Sequence, residues 1–362
     1  MNVVRFSWND FRNLECGEIF PDPGCNVIFG SNAQGKTNLL EGMWLFTGER
    51  SFRRAKDAEL IRSGCRNASL SLGFFAGERN QSAKISVAEG GRSAELNGVK
   101  KRSCAALIGE FRAAVFSPEH LSLLNGGPAV RRNFVDAALC QIRPAFAALY
   151  SEYARALAQR NALLKDIPRF ADLLDTLDVW DEKLVRCGKK IMEYRAAYLE
   201  KFSPLAASFY GGMCGGRETL SLHYEKSAAD LAEGLKKSRK SDILNGHTGV
   251  GPHRDDISVE IAGMDARAYG SQGQKRSAVV SMKLAEAELL ENVTGEAPVV
   301  FLDDVLSELD AERRDYLLNR LRGFQVFITC CEPEAAGTLG QGALFHVKNG
   351  EPEAQKRKAE EN

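Results

Sequence analysis

A short glycine loop between an apolar run and a helical pattern constrains this chain more than any other feature. Residues 27–29 are apolar and predict a buried strand, and Gly30-x-x-x-x-Gly35-Lys36-Thr37 follows directly. Apolar residues at helical spacing come next: Leu39, Leu40, Met43, Trp44 and Leu45. The glycines let such a loop curl with its N–H groups facing inward, and the helix start adds the positive end of its dipole. Strand, glycine loop and helix in this order predict a phosphate-binding loop.

The loop and the helix start supply the predicted nucleotide-binding residues. We expect Lys36 to reach the β- and γ-phosphates of a nucleoside triphosphate and the Thr37 hydroxyl to bind Mg²⁺. The alternative is a loop that merely happens to be rich in glycine, but this pattern rarely falls between a strand and a helix. The full set of predicted nucleotide-binding residues is Gly30, Ser31, Asn32, Ala33, Gln34, Gly35, Lys36, Thr37 and Asn38.

A second motif ends in two carboxylates. Residues 299–302 are apolar and predict a fully buried strand, and Asp303 and Asp304 stand at its C-terminal end. Ligands of a parallel α/β sheet bind at that end of the strands. We expect Asp303 to hold Mg²⁺, through water in most such sites, and Asp304 to be catalytic by orienting or deprotonating the attacking water. The alternative is an Asp that only caps a loop.

Two further segments offer groups that act between chains. Ser307 and Asp310 follow the carboxylates, just before a charged helix that begins near residue 311, and this segment could carry signals across an interface. Ser271-Gln272-Gly273-Gln274 opens an amphipathic helix, and its hydroxyl, free N–H groups and dipole end form a second anion-binding surface. If two copies sandwich a nucleotide, Ser271 of one copy would touch the γ-phosphate that the other copy's Lys36 holds. An ordinary helix cap would look similar.

The charge balance and the cysteine content limit the classes of function that this chain can have. The 362 residues contain 48 basic and 48 acidic side chains, so a nucleic-acid partner cannot be inferred from global charge and would need a local patch. The nine cysteines form no Cys-x-x-Cys pair, which favours reduced thiols in a cytosolic protein over a disulfide framework or a zinc site. No apolar run approaches the roughly 20 residues of a membrane span.

The residue pattern in the middle of the chain changes from strand-like to helical. Residues 67–100 alternate like a meander of strands with a tight turn at Asn97-Gly98, and residues 112–119 predict a buried strand that leaves into a loop. From about 127 to 205 helix formers dominate. Two series of mostly apolar residues there follow a 3.5-residue period, which is typical of a supercoiled seam. They are Ile142, Phe146, Leu149, Tyr153, Ala156, Arg160 and Leu163, then Trp180, Leu184, Cys187, Ile191, Tyr194 and Tyr198.

Several local patterns leave alternatives open. The two helical series, separated by Pro168, predict an antiparallel helical hairpin, or else an ordinary helical bundle. Residues 211–216 are glycine-rich and predict a loop, and residues 219–224 alternate like a strand. The basic run at residues 50–56 is either a solvated surface or a phosphate or DNA contact beside the nucleotide. The charged tail at residues 355–362 predicts a frayed end.

Three motifs together resemble the ATP-binding-cassette heads of the SMC group: the glycine loop at residues 30–37, the segment at residues 271–274 and the strand end at residues 302–304. Two further stretches narrow the resemblance to the RecF family of bacterial DNA repair and recombination proteins. The first is residues 116–121 with Pro128, Arg131, Arg132 and Asp136, and the second is residues 248–256. The match spans nearly the whole chain, with the motifs in the expected order.

The resemblance implies an α/β fold, a two-lobed P-loop ABC-type ATPase head interrupted by a helical, partly coiled-coil-like arm. The expected domains are residues 1–124 and 246–362 for the head and 125–245 for the arm. The cofactors it implies are ATP and Mg²⁺. The partners are DNA (single-stranded, double-stranded or gapped), a second copy bound in an ATP-dependent homodimer, and RecR and RecO in helping RecA onto gapped DNA. It also implies slow ATP hydrolysis as a switch and a cytoplasmic, nucleoid-associated location without a membrane.

Some residues depart from the wider cassette pattern. No Gln lies between Gln81 and Gln141, the stretch in which the wider pattern has a glutamine that contacts Mg²⁺. Thr329-Cys330-Cys331 stands in place of a switch histidine, and the second acid is Asp304 rather than Glu. Residues 253–256, His-Arg-Asp-Asp, are either a functional cluster or, the interpretation we favour, an internal ion-pair network that holds the lobes. Two rival functions stay open: a P-loop phosphotransferase or transport ATPase that does not act on DNA, and a scaffold in which ATP only stabilises the fold. DNA-contacting residues cannot be named from the sequence.

Overall fold

The computed structural model describes residues 1–332 and 342–355. The predicted frayed tail lies outside these residues except for Gln355. The strands are β1 (Asn2–Phe11), β2 (Leu14–Ile19), β3 (Cys25–Phe29), β4 (Asn67–Ala76), β5 (Arg79–Ala88), β6 (Gly91–Leu96), β7 (Val99–Lys101), β8 (Ala113–Phe116), β9 (Leu220–Glu225), β10 (Asp256–Ile261), β11 (Met264–Asp265), β12 (Val299–Asp303), β13 (Val326–Cys330), β14 (Gly342–Lys348) and β15 (Glu351–Gln355). The helices are α1 (Lys36–Trp44), α2 (Ser122–Asn125), α3 (Pro128–Ile142), α4 (Pro144–Asp166), α5 (Leu177–Met213), α6 (Leu231–Asn245), α7 (Ala266–Tyr269), α8 (Gln272–Thr294) and α9 (Ala311–Arg320).

The chain divides into two compact units. The first unit contains residues 1–121, 212–216 and 276–362, and the second contains residues 122–211 and 217–275. The second unit is therefore an insertion in the sequence of the first. These units and the predicted domains divide the chain differently, because residues 246–275, which the sequence assigns to the head, pack within the second unit.

The first unit contains two six-stranded sheets. One is antiparallel, with the order β2-β1-β4-β5-β6-β7, and it contains the predicted meander. The turn between β6 and β7 is Asn97-Gly98, where both residues have positive φ, 49° and 79°. Asn and Gly tolerate that conformation better than other residues, which is why this dipeptide closes tight hairpins.

The second sheet of this unit positions the motif residues. Its order is β15-β14-β3-β13-β12-β8, and every pair is parallel except β14 with β15. Strands β3, β12 and β13 are buried almost throughout, and parallel strands covered on both faces require such apolar runs. The carboxyl ends of β3, β13 and β12 therefore lie side by side, which brings the glycine loop and the two carboxylates to one edge.

One hydrophobic core joins α1 to both sheets. Leu39, Leu40 and Met43 of α1 are fully buried with Phe6 of β1 and Phe301 of β12 in a single cluster. At about 25 cal/mol per Å² of apolar surface, each large side chain that is fully buried contributes about 1.5–3 kcal/mol. Burial of this helix between elements of both sheets holds its first turn, and with it the glycine loop, in a fixed position.

The second unit is mainly helical. Its α4 and α5 are antiparallel. Phe146, near the start of α4, lies 6.0 Å from Tyr194 of α5 between ring centroids, whereas Arg160, near the end of α4, lies 2.6 Å from Asp181, near the start of α5. The predicted antiparallel arrangement is confirmed. The sequence pattern assigns Ile142 to the first of these helices, but Ile142 ends α3 instead, because Pro144 starts a new helix at α4.

A third helix joins this pair and decides between the two helical interpretations. Arg160 also binds Asp242 of α6 at 2.7 Å, and Arg239 of α6 binds Asp181 of α5 at 2.7 Å. The Arg160 side chain is completely buried at the point where the three helices meet. Three helices packed around a buried charge form a bundle rather than a two-stranded supercoil.

The glycine-rich segment at residues 211–216 differs from the prediction. It is not wholly a loop, because α5 continues to Met213. A Cβ on Gly212 would lie 2.1 Å from the Tyr316 hydroxyl, so a close approach inside the first unit explains this glycine better than a turn does. Gly215 and Gly216, with φ of 61° and 73°, end the helix.

Within the described part of the chain, none of the helices combines the length and apolar character needed to cross a membrane.

Candidate nucleotide site

The glycine loop has backbone angles that only certain residues adopt easily. Gly30 and Gly35 have φ of 144° and 111°, and Ala33 between them has φ of 63°. A Cβ on Gly30 would lie 2.4 Å from the Val347 carbonyl oxygen, so no larger residue fits there. Gly35 is also the N-cap of α1 and provides no side-chain acceptor for the first N–H groups of that helix. Those groups and the helix dipole are the features that bind phosphate.

Lys36 lies against this loop. Its side chain is mostly buried, and its ammonium donates to the carbonyl oxygens of Gly30 at 2.5 Å and Ser31 at 2.9 Å. The charge is thus held at the centre of the loop, where the phosphates of a nucleotide would lie. This position agrees with the role that the sequence predicts for Lys36.

Two hydroxyl groups meet the first carboxylate. Thr37 Oγ1 donates to Asp303 Oδ1 at 2.7 Å, and Thr329 Oγ1 donates to the same oxygen at 2.9 Å. The contact follows from the sheet order, because Asp303 and Thr329 are partners in the register of β12 and β13. Burial raises the pKa of Asp303, and the hydrogen bonds from the two hydroxyls oppose that rise.

The pair formed by Thr37 and Asp303 fits magnesium. It supplies a hydroxyl and a carboxylate, which are hard oxygen ligands next to the phosphate-binding loop. Mg²⁺ usually keeps several waters and binds through one or two carboxylates together with phosphates. The structure thus brings together the two predicted magnesium ligands at one point.

Asp304 has an unusual backbone conformation. Its φ is 51°, in the left-handed region that non-glycine residues avoid. Its N–H donates to Thr329 Oγ1 at 3.0 Å, and Ser307 Oγ donates to its carbonyl oxygen at 2.8 Å and lies 3.2 Å from its Oδ1. Such conformations cost on the order of 1–3 kcal/mol and persist where surrounding contacts enforce them, often at functional sites.

The far side of the loop is held by the turn between β14 and β15 and by the residue that follows β13. Asn349 N–H donates to Gln34 Oε1 at 2.5 Å, and Gly350 N–H donates to the Gln34 carbonyl oxygen at 3.0 Å. The exposed Cys331 thiol lies 3.3 Å from Asn32 Oδ1. Two side chains of the predicted nucleotide-binding set therefore fix the shape of the loop.

One member of the basic run lies beside the nucleotide-binding residues. Arg53 donates to Asn38 Oδ1 at 3.0 Å and lies 3.9 Å from the Glu41 carboxylate. Glu41 is fully buried on α1, where it accepts two hydrogen bonds from Arg12 and one from Ser51. Arg53 thus lies beside the predicted nucleotide-binding residues, with partners on α1.

The segment at Ser271 is a helix cap in this single chain. Ser271 N–H donates to Gln274 Oε1 at 2.8 Å, and Gln274 N–H donates to Ser271 Oγ at 3.2 Å. This reciprocal arrangement is a capping box. Ser271 and Gln272 are exposed, Gly273 is half-buried, and a hydroxyl that accepts a hydrogen bond still has its own proton to donate. The segment belongs to the second unit, whereas Lys36 belongs to the first.

The segment after the carboxylates is also built around caps. Asp310 caps α9 by accepting from Arg313 N–H at 2.9 Å, and its carboxylate lies 3.0 Å from the Arg313 guanidinium. Ser307 contacts Asp304 as described above. The predicted interface segment is thus connected to the second carboxylate through Ser307.

Residues 253–256 have internal partners in the second unit. His253 Nδ1 lies 2.7 Å from the Tyr153 hydroxyl, and Arg131 makes two 2.8 Å hydrogen bonds to Asp256. Asp255 is fully buried and accepts from Tyr224 and from the Ser227 N–H. Burial lowers the pKa of His253 to about 4. These contacts form an internal network, but all of the partners named here belong to the second unit, so they do not show the predicted role in holding the lobes.

Sequence reasoning missed Thr329 as a site residue. In the sequence pattern Thr329 stands out only through the absence of a switch histidine in that segment. A signal was available, since Thr329 ends an apolar strand pattern just as Asp303 does, and polar residues at the carboxyl ends of neighbouring parallel strands converge. The contact itself depends on β13 lying beside β12, which no local pattern specifies.

Comparison with known proteins shows the family of this chain. Residues 2–349 match the family described as the RecF/RecN/SMC N terminal domain. A protein of Agathobacter rectalis, named DNA replication and repair protein RecF, is 37% identical over 358 residues, which are 98% of this chain and 99% of that protein. A protein of a Synechococcus species with the same name is 39% identical, with 94% of each chain covered.

Solved structures agree with these relatives. A structure described as the recombination mediator protein RecF-ATP in the RecFOR pathway superposes with a TM-score of 0.92, at 34% identity and with 98% of each chain covered. The Smc head domain of Pyrococcus furiosus gives a TM-score of 0.58 at 14% identity, covering 98% of this chain and 96% of that one. At that identity the likeness shows the fold alone. The predicted fold class, an α/β P-loop ATPase head of the ABC type, is confirmed.

Proposed function

Because the chain belongs to the RecF family, we propose that it is an ATP-gated DNA-binding protein of recombinational repair and replication-fork recovery. ATP closes two copies on DNA, and slow hydrolysis releases them. The observation that carries the proposal is the meeting of Thr37 with Asp303 beside Lys36, in a chain whose second anion-binding segment, at Ser271, is exposed. One chain then provides both halves of a site that only two copies complete.

Within one chain, the first half-site binds MgATP. The loop N–H groups and the Lys36 ammonium bind the phosphates, and Thr37 and Asp303 hold Mg²⁺, Asp303 directly or through water. When bound, the ion would neutralise charge on the β- and γ-phosphate oxygens. Asp304, held by Ser307 and Thr329, orients the attacking water or accepts its proton.

The second half-site comes from another copy. The exposed start of α8 presents the Ser271 hydroxyl and the first N–H groups of a long helix, and both suit a γ-phosphate. Ser271, Gln272, Gly273 and Gln274 act in trans and complete the site in an ATP-dependent homodimer. The segment of Ser307 and Asp310 transmits closure of the dimer to Asp304, because Ser307 contacts Asp304 directly.

The partners follow from the relatives. The name DNA replication and repair protein and the description of a recombination mediator in the RecFOR pathway support DNA as the ligand of this chain and RecO and RecR as its partners. On this proposal the protein helps to load RecA at gapped DNA and works at the nucleoid in the cytoplasm.

Sedimentation with and without MgATP tests the dimer. We expect dimers of the wild type only with ATP, and none in Ser271→Arg, because the larger charged side chain blocks the trans contact. Ser241→Arg is the matched control, since Ser241 is an exposed serine on α6 of the same unit. Dimers that form without nucleotide and survive Ser271→Arg would overturn the gating proposal.

Fluorescence anisotropy with gapped DNA tests the ligand. We expect ATP-stimulated binding whose affinity falls steeply with salt, because phosphate contacts release counterions. A chain that binds ATP but has no DNA affinity at low salt would favour a P-loop enzyme of another class. In Lys36→Arg, unchanged dimerisation and DNA binding would favour a scaffold in which ATP only stabilises the fold.

A further inference from the structure

A buried hydroxyl links the two carboxylates of the site. Thr329 is the second-last residue of β13 and is 1% exposed. Its Oγ1 donates to Asp303 Oδ1 at 2.9 Å and accepts from the Asp304 N–H at 3.0 Å. A single oxygen atom therefore contacts the predicted magnesium ligand and the predicted water-orienting residue.

The bond to Asp303 fixes the rotation of its carboxylate. Thr37 and Thr329 both donate to Oδ1, from the loop side and from the neighbouring strand. Groups that hydrogen-bond a metal-binding carboxylate in this way set its orientation, and their loss typically costs 10–100-fold in metal affinity or activity. Thr329 is placed to act on the metal without touching it.

The bond to Asp304 supports a strained backbone. Asp304 has φ of 51°, and its N–H group points to Thr329 while its carbonyl oxygen accepts from Ser307. Without an acceptor for its N–H, Asp304 would lose one of the two contacts that hold this conformation. The direction of its carboxylate toward a nucleotide depends on that conformation.

The hydroxyl is not needed for the strand itself. The residues before it, Val326, Phe327 and Ile328, are buried and apolar. A valine has nearly the shape of a threonine and suits such a strand. The presence of a hydroxyl at Thr329 therefore requires an explanation that packing does not supply.

We propose that Thr329 is a positioning residue for ATP hydrolysis, which aligns Asp303 and Asp304 relative to each other and to the bound nucleotide. The assignment rests on the proposed function. Because Thr329 contacts the two acids and lies behind them in the sheet, it acts on the hydrolysis step and on the use of Mg²⁺ more than on the affinity for ATP.

The test compares Thr329→Val, which removes the hydroxyl, with Thr329→Ser, which keeps it. In Thr329→Val we expect single-turnover ATP hydrolysis to fall about 10–100-fold. The Kd for a fluorescent ATP analogue should change less than about 3-fold, since no phosphate contact is lost. The Mg²⁺ concentration that gives half of the maximal hydrolysis rate should rise. Thr329→Ser should stay within about 3-fold of the wild type in all three measurements, because it restores the hydroxyl. Thr329→Ala, which also lacks the hydroxyl and is smaller, serves in place of Thr329→Val if the latter does not fold.

The outcomes separate this assignment from the proposed function. If the wild type neither binds nor hydrolyses ATP, the proposed function fails. If the wild type hydrolyses ATP and Thr329→Val does so equally fast, only the assignment of Thr329 is wrong. A Thr329→Ser variant as defective as Thr329→Val would also overturn it, since the methyl group and not the hydroxyl would then be what matters.

Discussion

Removing the Arg12 guanidinium should weaken the helix that carries the phosphate-binding loop. Glu41 lies on α1 with no exposed surface, and Arg12 donates to its two carboxylate oxygens at 2.9 and 2.7 Å. Arg12→Met keeps most of the side-chain stem but leaves the Glu41 carboxylate buried, with the Ser51 hydroxyl and the more distant Arg53 as its remaining partners.

The magnitude follows from the burial of both groups. Breaking a buried ion pair by removing one partner typically costs about 3–5 kcal/mol. The Arg12 side chain is 17% exposed, so we expect a loss of about 3 kcal/mol, at the lower end. Arg5→Met is the matched control, because the Arg5–Glu18 pair lies on the surface, with side chains 58% and 45% exposed. An exposed pair contributes at most about 1 kcal/mol.

Hydrogen exchange of the α1 amides, together with urea denaturation of the whole chain, measures the difference. We expect faster exchange in α1 and a lower urea midpoint in Arg12→Met, and little change in Arg5→Met. Adding Glu41→Gln to Arg12→Met should recover more than half of the loss, because a neutral amide is cheaper to bury than a charge. Equal, small losses in the two single variants would refute the reasoning.

Three further predictions concern the loop and the second unit. Lys36→Ala should weaken ATP binding about 10- to 100-fold, measured by calorimetry, because it removes charge-assisted hydrogen bonds of about 1.5–3 kcal/mol; unchanged affinity would exclude Lys36 from the site. Gly30→Ala should lower stability by at least about 2 kcal/mol in urea denaturation, because its Cβ would lie 2.4 Å from the Val347 carbonyl oxygen, whereas the control Gly90→Ala, in open space, should not. Since burial lowers the pKa of His253 to about 4, the unfolded chain takes up a proton below about pH 6.5 before the folded chain does, and stability should fall by about 3 kcal/mol between pH 6.5 and 4. Hydrogen exchange in the second unit should show a shallower pH dependence in His253→Gln, and an identical dependence would contradict the assignment.

The nucleotide site could be predicted largely from local sequence. Gly30 and Gly35 have positive φ because the loop must curl at those positions, and their spacing before Lys36 and Thr37 sets where α1 begins. The short apolar run before Asp303 favours a buried strand, which the structure shows as β12. Local sequence therefore placed both carboxylates and the loop correctly at strand ends.

The remaining features depend on tertiary neighbours. Thr329 reaches Asp303 only because β13 lies between β3 and β12 in the sheet. Arg160 follows the same 3.5-residue series as its apolar neighbours, yet it is buried among carboxylates of α5 and α6, so periodicity alone suggested a supercoil where a bundle forms. Position 212, inside α5, is a glycine because Tyr316, more than a hundred residues later, leaves no room for a side chain.

The composite site is the central claim, and a mixed-dimer ATPase assay tests it most directly. One chain carries Lys36→Ala and the other carries Ser271→Arg, so that each is inactive alone. In the mixed dimer, the intact Lys36 of one copy meets the intact Ser271 of the other, and we expect hydrolysis to recover up to about half of the wild-type rate, from one competent site of two. No recovery on mixing, or full activity of the Ser271→Arg chain alone, would contradict the account.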